Sequence, residues 1–361
     1  MKNRQTFTLI GTMKNISPLT FTDPNPNVSA PAGENIVRLP RMQLITREKN
    51  GSHENASPVV RVPFLSSNSL RGRLRRECAY AIFDRFLAEG VPVPLAVAHW
   101  MRAGAGRNVK DMVPSWLTPM QLEQEIMEDG NLHTGLWGAG LRCPSRVMIS
   151  DVIPHCVETV QQGLFESVAP IDDLPQCRDL TGFRGWVRKN DCADSNAPQN
   201  YFDAAEIDDL FAAMKNDQAA KKKKAKDKAE GTESTEPSED SLGLQQIGCV
   251  EYLAPGTVFN VRIRFADVAP IQVGMFMAGL ARFADNPVIG GNKRWGFGRV
   301  NFVIDDEQGR SVTVNDAGFA SSGFEQEIDV FDEWRDSVSL ERLHTLGWLE
   351  DHAPTPKKQV D

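Results

Sequence analysis

The residues with the plainest chemistry form a run of cations without a counterion. From Arg61 to Arg76 the chain reads RVPFLSSNSLRGRLRR, with Arg61, Arg71, Arg73, Arg75 and Arg76 and no acid among the sixteen residues. Ser66, Ser67 and Asn68 offer N-cap side chains, so the spacing predicts a helix from Ser69 to about Glu89, stopped by Gly90. Arg71 and Arg75 are four apart and share a helix face, with Arg73 and Arg76 beside them. All four lie in the first two turns, where free backbone N–H groups and the helix dipole already favour an anion. Cations stacked at that end cost stability unless an anion is bound. Ser67, Asn68, Ser69, Arg71, Arg73, Arg75 and Arg76 are therefore candidate phosphate-binding residues. The plainer alternative is a solvated helix face.

A second candidate is Gly290–Val300, GGNKRWGFGRV. Its four glycines permit close backbone approach and positive φ. Lys293, Arg294 and Arg299 can neutralise phosphates, while Trp295 and Phe297 can stack on bases or pack beneath the loop. The segment has neither the GK[ST] of a P-loop nor the GxGxxG of a dinucleotide fold. In a third segment, Arg38, Arg41 and Arg47 alternate with Ile36, Leu39, Met42 and Leu44. That pattern suits a hairpin that wedges between nucleotides while holding their backbone; a strand half buried against a neighbouring subunit is the alternative.

Catalytic and metal chemistry is poorly represented. No motif supports a Ser-His-Asp or Cys-His site, and His53 is a lone loop histidine. The six cysteines are scattered without a CxxC pair. Cys143, His155 and Cys156 could assemble around zinc, but their spacing matches no usual ligand pattern, so free thiols in a reducing cytoplasm are expected. No cofactor is implied.

These segments need elements to position them. Gln5–Ile10 alternates as a half-buried strand, and Ile36–Thr46 and Val59–Phe64 read as the arms of a long hairpin with an exposed tip. In the helix after it, Leu70, Leu74, Cys78, Ala81, Ile82 and Phe86 make one apolar stripe. Residues 91–145 read as a helical insertion interrupted by proline. Arg146–Ile153 is a strand candidate, and an irregular stretch carrying FRGWVRK follows it. Residues 215–243, with the run KKKKAKDKAEGTESTEPSED, have the composition of a disordered loop whose lysines either bind nucleic acid or are merely solvated. Cys249–Phe265 reads as two strands joined across Ala254–Gly256. A helix over Ile271–Phe283, the glycine-rich loop and a strand at Arg299–Ile304 complete an α+β sandwich. The remainder, 303–361, is an acidic C-terminal extension with a helix expected near Ser339–Glu350.

Charge distribution supports this division. The net charge of −8 argues at first against a polyanionic partner. Residues 303–361 alone carry −9, with 14 acids and 5 bases, and residues 1–302 carry +1. No apolar run approaches the ~20 residues of a membrane span, and the polar start MKNRQTFTLIGTMKN lacks the apolar region of a signal peptide, so a cytoplasmic location is expected.

Four segments in order, VPFLSSNSLRGRLRR, GLWGAGLRCPSRVMISDV, CVEYLAPGTVFNVRIRF and GGNKRWGFGRV, resemble the RAMP superfamily of CRISPR-associated proteins. The likeness is to the backbone subunit that coats the guide RNA in class 1 effector complexes, most of all to its type IV version. It implies an RRM-like, ferredoxin-type palm over 1–302, with a β-hairpin thumb at about 36–64. The implied partners are a CRISPR guide RNA, a target DNA or RNA paired to it, further copies of the chain and other effector subunits. Contacts to the guide would come from Ser67, Asn68, Ser69, Arg71, Arg73 and Arg75, from the thumb with Arg38 and Arg41, and from the glycine-rich loop. Related type III subunits carry a target-cleaving aspartate in the loop after the first strand. Here the stretch reads AGENIVRLP with Asn35 at that position, which implies a non-cleaving scaffold. Two alternatives remain: a ribonuclease using Asp23 or Glu34, and a guide-processing endonuclease using His53.

Overall fold

A computed structural model describes residues 4–21, 36–45, 59–104, 132–138, 144–189, 245–340 and 343. The chain divides into two units, one formed by Met1–Pro24, Leu39–Gly182 and Tyr252–Asp361, the other by Asn25–Arg38 and Phe183–Glu251.

The larger unit is built on an antiparallel sheet. Its strands are β1 (Gln5–Asn15), β5 (Val147–Ile149), β6 (Ile153–Pro154), β9 (Val258–Val268), β10 (Val300–Asp305), β11 (Ser311–Asn315) and β12 (Gly318–Ser322). They lie in the order β12-β11-β10-β1-β9-β5, with β6 also paired to β9. Helix α1 (Ser67–Ala88) follows β1 in the chain, and α5 (Pro270–Asp285) joins β9 to β10. The four central strands β10-β1-β9-β5, with these two helices, reproduce the βαββαβ ferredoxin-like arrangement. The fold is therefore α+β and RRM-like, as the sequence suggests.

Period-2 burial makes the sheet one-sided. Leu9, Met13, Phe259, Val261, Ile263, Phe265, Phe302 and Ile304 all point to the inner face and are buried. Against them α1 turns Leu70, Leu74, Cys78 and Ile82, and α5 turns Phe276, Met277, Leu280 and Phe283. Phe265 stacks on Phe7 at 4.6 Å and meets Phe276 edge-on at 5.0 Å. Burial of each such side chain contributes about 1.5–3 kcal/mol, so this interface sets where both helices sit. Gly279 lets the helices close up, because a Cβ there would lie 2.3 Å from the Cys78 sulfur.

Strands β3 (Arg41–Ile45) and β4 (Val59–Pro63) pair antiparallel, with Arg41 opposite Pro63. The single strand expected over Ile36–Thr46 is broken. β2 (Ile36–Val37) belongs to the smaller unit and runs parallel to β8 (Gln245–Leu253). Pro40 stands at the break, where it can donate no ladder hydrogen bond. The smaller unit has strand order β2-β8-β7, with β7 at Thr181–Lys189. β7 is the FRGWVRK stretch that composition suggested was irregular.

Two short helices of the region 91–145 are described, α2 (Leu95–Ala103) and α3 (Leu132–Trp137), and α4 (Val157–Gln161) follows β6. The boundary at residue 303 falls inside β10. β11 and β12 widen the main sheet, and α6 (Glu325–Ser337) packs on α5 through Gly274, whose Cβ would lie 1.9 Å from the Glu327 carbonyl. Asp23, Glu34, Asn35, Arg47, His53, Cys143 and the loop 215–243 lie outside the described residues, as does most of Ser339–Glu350. Among the described residues, no helix is long and apolar enough to cross a membrane.

Candidate nucleic-acid interface

The start of α1 is already occupied by an anion, and it comes from the protein. The Ser67 N–H donates to the Asp151 carboxylate at 2.7 Å, and the Ser69 N–H donates to the Ser66 carbonyl at 2.9 Å. No serine or asparagine side chain caps the helix. Asp151 lies between β5 and β6, so the sheet supplies the charge that the arginine-rich first turns lack. Asn68 is exposed; Ser67 and Ser69 are half-buried.

The four helical arginines split into two pairs with different work. Arg71 and Arg75 do share a face, but it is turned into the protein. Arg75 is 7% exposed. Its guanidinium donates to the carbonyls of Met101 (3.2 Å), Ala103 (3.4 Å) and Gly138. Arg71 donates to the Trp137 carbonyl and lies over the Trp137 ring at 6.0 Å. These carbonyls stand at the C-terminal ends of α2 and α3, which have no intrahelical donor left. Burial lowers the Arg71 pKa, yet both guanidinium groups act as caps for other helices. The expectation that Arg75 faces RNA is corrected by this packing. α1 is covered on that side by α2 and α3, whose positions its own periodicity does not reveal.

Arg73 and Arg76 lie on the other side and meet the glycine-rich loop. Arg73 donates to the Asn286 carbonyl at 3.3 Å, lies over Phe283 at 5.7 Å and pairs with Glu77 at 3.0 Å. Glu77 is buried and also takes Arg282 at 3.2 Å. Arg282 pairs in addition with Asp84. Arg76 and Lys293 make no hydrogen bond or ion pair among the described residues. Their electrostatics show how they are placed. Burial, then the charges of Arg73 and Arg76, push the Lys293 ammonium below its ordinary pKa, with Glu77 acting the other way. Burial, then Arg73, lower the Arg76 pKa, and Arg102 adds to the effect. Arg102 and Arg282 flank the Tyr80 ring at 5.3 and 5.2 Å. Among the described residues, Arg73, Arg76, Arg102, Arg282 and Lys293 thus gather around two acids, Glu77 and Asp84, a surplus of three positive charges. Arg102, Arg282 and Tyr80 were not anticipated. Arg102 sits in the proline-interrupted insertion, and Arg282 has the sequence appearance of a basic residue ending an ordinary helix.

The loop carries Lys293 on a short 3-10 turn, Lys293–Trp295, between Asn292 (φ 52°) and Gly296 (φ 75°). Its glycines are needed chiefly for packing. Gly298 has φ 92°, and a Cβ there would lie 1.9 Å from the Ile289 carbonyl. The Gly291 and Gly298 N–H groups donate to the carbonyls of Thr20 (2.7 Å) and Pro18 (2.8 Å), which fixes the loop beyond the end of β1. Phe297 is 1% exposed and packs edge-on against Tyr252 at 5.9 Å. It therefore lies beneath the loop and is not a stacking surface. Trp295 is half-buried at 6.1 Å from Phe297, Arg294 is exposed, and Arg299 pairs with Asp316 at 2.9 Å.

The thumb arginines are placed separately. Arg41 begins β3, and its charge acts on the Cys177 thiol, which burial nevertheless pushes up to about 12. Arg38 belongs to the smaller unit, over the Phe183 ring at 5.9 Å. Among the described residues no group of three His, Cys, Asp or Glu could hold a metal ion. Of the candidate zinc set, Cys156 is buried against the Thr159 hydroxyl at 3.4 Å, and His155 packs on Phe165 at 4.4 Å.

No protein-family model matches the chain. No curated protein matches it either. Among solved structures, the chain is similar to one described as "Type IV-B CRISPR Complex", at 14% identity and a TM-score of 0.41, covering 81% of this chain and 88% of that one.

Proposed function

We propose that this protein is a guide-RNA-binding subunit of a CRISPR effector complex, gripping RNA through its phosphates and serving as a scaffold. The observation that carries the reading is the meeting of Arg73 and Arg76 of α1 with Lys293 of the glycine-rich loop. Like charges brought together and partly desolvated raise the energy of the protein unless a polyanion neutralises them. Arg76 and Lys293 retain their full donor capacity for phosphate oxygens. The order of the four sequence motifs supports guide RNA as that polyanion. Further copies of the chain would repeat the contact along the strand, so that base pairing supplies target specificity and the protein supplies geometry. Asn35, in place of a carboxylate, supports holding without cleavage.

The test is RNA binding by fluorescence anisotropy across a salt series. Arg76→Glu combined with Lys293→Glu should abolish retention of a single-stranded guide at about physiological salt and leave the circular dichroism spectrum unchanged. Undiminished binding by this double variant would overturn the assignment.

A further inference from the structure

Among the described residues, nothing that the proposed RNA contacts require lies on the face of the main sheet turned away from the helices. Its outward positions alternate with the core positions already described. They are Thr8, Ile10, Thr12 and Lys14 on β1; Asn260, Arg262 and Arg264 on β9; Met148 on β5; Val303 and Asp305 on β10; and Thr313 on β11. Ile10, Met148 and Val303 are 46%, 45% and 49% exposed. The pairing brings them together: Ile10 lies beside Arg262, Met148 beside Arg264, and Thr12 between Asn260 and Val303. Single-stranded RNA on a sheet is held by aromatic rings on which bases stack. Here Phe7, Phe259, Phe265 and Phe302 all point inward, and none of the outer positions named above carries an aromatic ring; they mix aliphatic, hydroxyl and charged side chains. Such a surface is suited to protein.

A complementary surface lies on the helical side of the same unit. α6 buries Phe331 and Trp334 and leaves Glu325, Gln326, Asp329, Val330, Glu333 and Asp336 exposed. Arg335 is committed to Asp332 and Asp336. Asp329 and Glu333 make no ion pair among the described residues, and the same holds for Lys14, Arg262 and Arg264 on the sheet. The dimensions agree. Asp329 and Glu333 are about 6 Å apart along the helix, and Arg262 and Arg264 are about 7 Å apart along the strand. A 13-residue helix is about 20 Å long and fits along β9, whose 11 residues span about 36 Å. Val330, next to Asp329, would then lie toward Ile10, the neighbour of Arg262 on β1.

We infer that the open sheet face is the docking site for the acidic α6 face of a second copy of this chain, through Arg262 and Arg264 against Asp329 and Glu333. This assigns the surfaces through which the copies named under the proposed function meet, and it rests on that reading only for the presence of several copies. Because the two surfaces lie on opposite sides of one unit, the contact is heterologous and repeats from copy to copy without closing as a two-fold dimer.

The experiment is sedimentation velocity on nuclease-treated, RNA-free protein. The parent should show an average mass that rises with concentration at about 50 mM salt and returns to the 40.0 kDa monomer at about 500 mM, where charges are screened beyond a few ångströms. Arg262→Glu with Arg264→Glu should be monomeric throughout, and so should Asp329→Lys with Glu333→Lys. Mixing the two reversed proteins restores both complementary pairs, so association should return. Self-association of either variant at the parent's level, or a mixture that stays monomeric, overturns the inference. So does a sheet variant that self-associates normally but loses guide-RNA retention, which would give the face to RNA. Anisotropy with the guide reports separately on the Arg76 and Lys293 site, so failure of one reading is distinguishable from failure of the other.

Discussion

Arg75 and Arg76 are adjacent in sequence and identical in chemistry, yet replacing each by methionine should have opposite consequences. Arg75→Met keeps the apolar stem and removes a guanidinium that serves the carbonyls of Met101, Ala103 and Gly138. A hydrogen bond from a charged donor is worth about 1.5–3 kcal/mol, and each buried carbonyl left unpaired costs about 1–3 kcal/mol. Against this, the variant no longer desolvates a charge. The net loss should be about 2–4 kcal/mol, seen as a lower urea midpoint at unchanged slope. Arg76→Met removes no hydrogen bond or ion pair among the described residues and relieves repulsion from Arg73 and Arg102, so stability should stay within about 0.5 kcal/mol. RNA affinity should respond in the reverse sense. Each phosphate contact to a single strand contributes about 0.7 to the slope of log K against log salt. Arg76→Met should reduce that slope by about 0.7, and Arg75→Met should leave it unchanged under conditions where the variant is folded. The partition of α1 into a structural and an RNA-facing side is refuted if Arg75→Met is as stable as the parent and flattens the salt slope. It is equally refuted if Arg76→Met unfolds the protein and leaves the slope intact.

Three further outcomes are expected. His133 is 1% exposed and its pKa is held at about 3, first by burial and then by Arg75. The unfolded chain therefore takes up a proton between about pH 6.5 and 3 that the folded chain refuses, and stability falls with pH across that window, by about 2 kcal/mol at pH 5. His133→Gln should flatten this dependence in denaturation curves measured at several pH values, and an unchanged curve would refute the assignment. Gly298→Ala places a Cβ against the Ile289 carbonyl at φ 92° and should cost about 2–4 kcal/mol, read by thermal unfolding. Finally, complexes assembled on a guide should leave labelled complementary RNA intact. Regularly spaced cuts that vanish with Asp23→Ala or Glu34→Ala would replace the scaffold reading with a ribonuclease.

Much of the architecture was legible from periodicity alone. The apolar stripe of α1, the alternation of β1 and β9, and the turn at Ala254–Gly256 each state their element and inner face, because a core-facing element must repeat at 3.6 or 2.0 residues. β7, β11 and β12 were less visible. They are short or polar, and their strand character comes from pairing with neighbours more than from their own composition. The acidity of residues 303–361 also concealed that β11 and β12 belong to the sheet, since exposed charge says nothing about the alternate, buried positions such as Val312 and Val314.

The candidate site divides along the same line. The sequence by itself determined that α1 begins with a dense set of arginines and that a glycine-rich basic loop follows α5. Only the tertiary structure decided which of those cations remain free for a ligand. Arg71 and Arg75 are spent on the ends of α2 and α3, Asp151 takes the helix N-terminus, and Phe297 is buried under its loop. Arg73, Arg76 and Lys293 converge instead, joined by Arg102 and Arg282 from elements far apart in the chain. The physical reason is that charge and donor count are properties of a residue, whereas desolvation and partnership depend on what the fold packs against it.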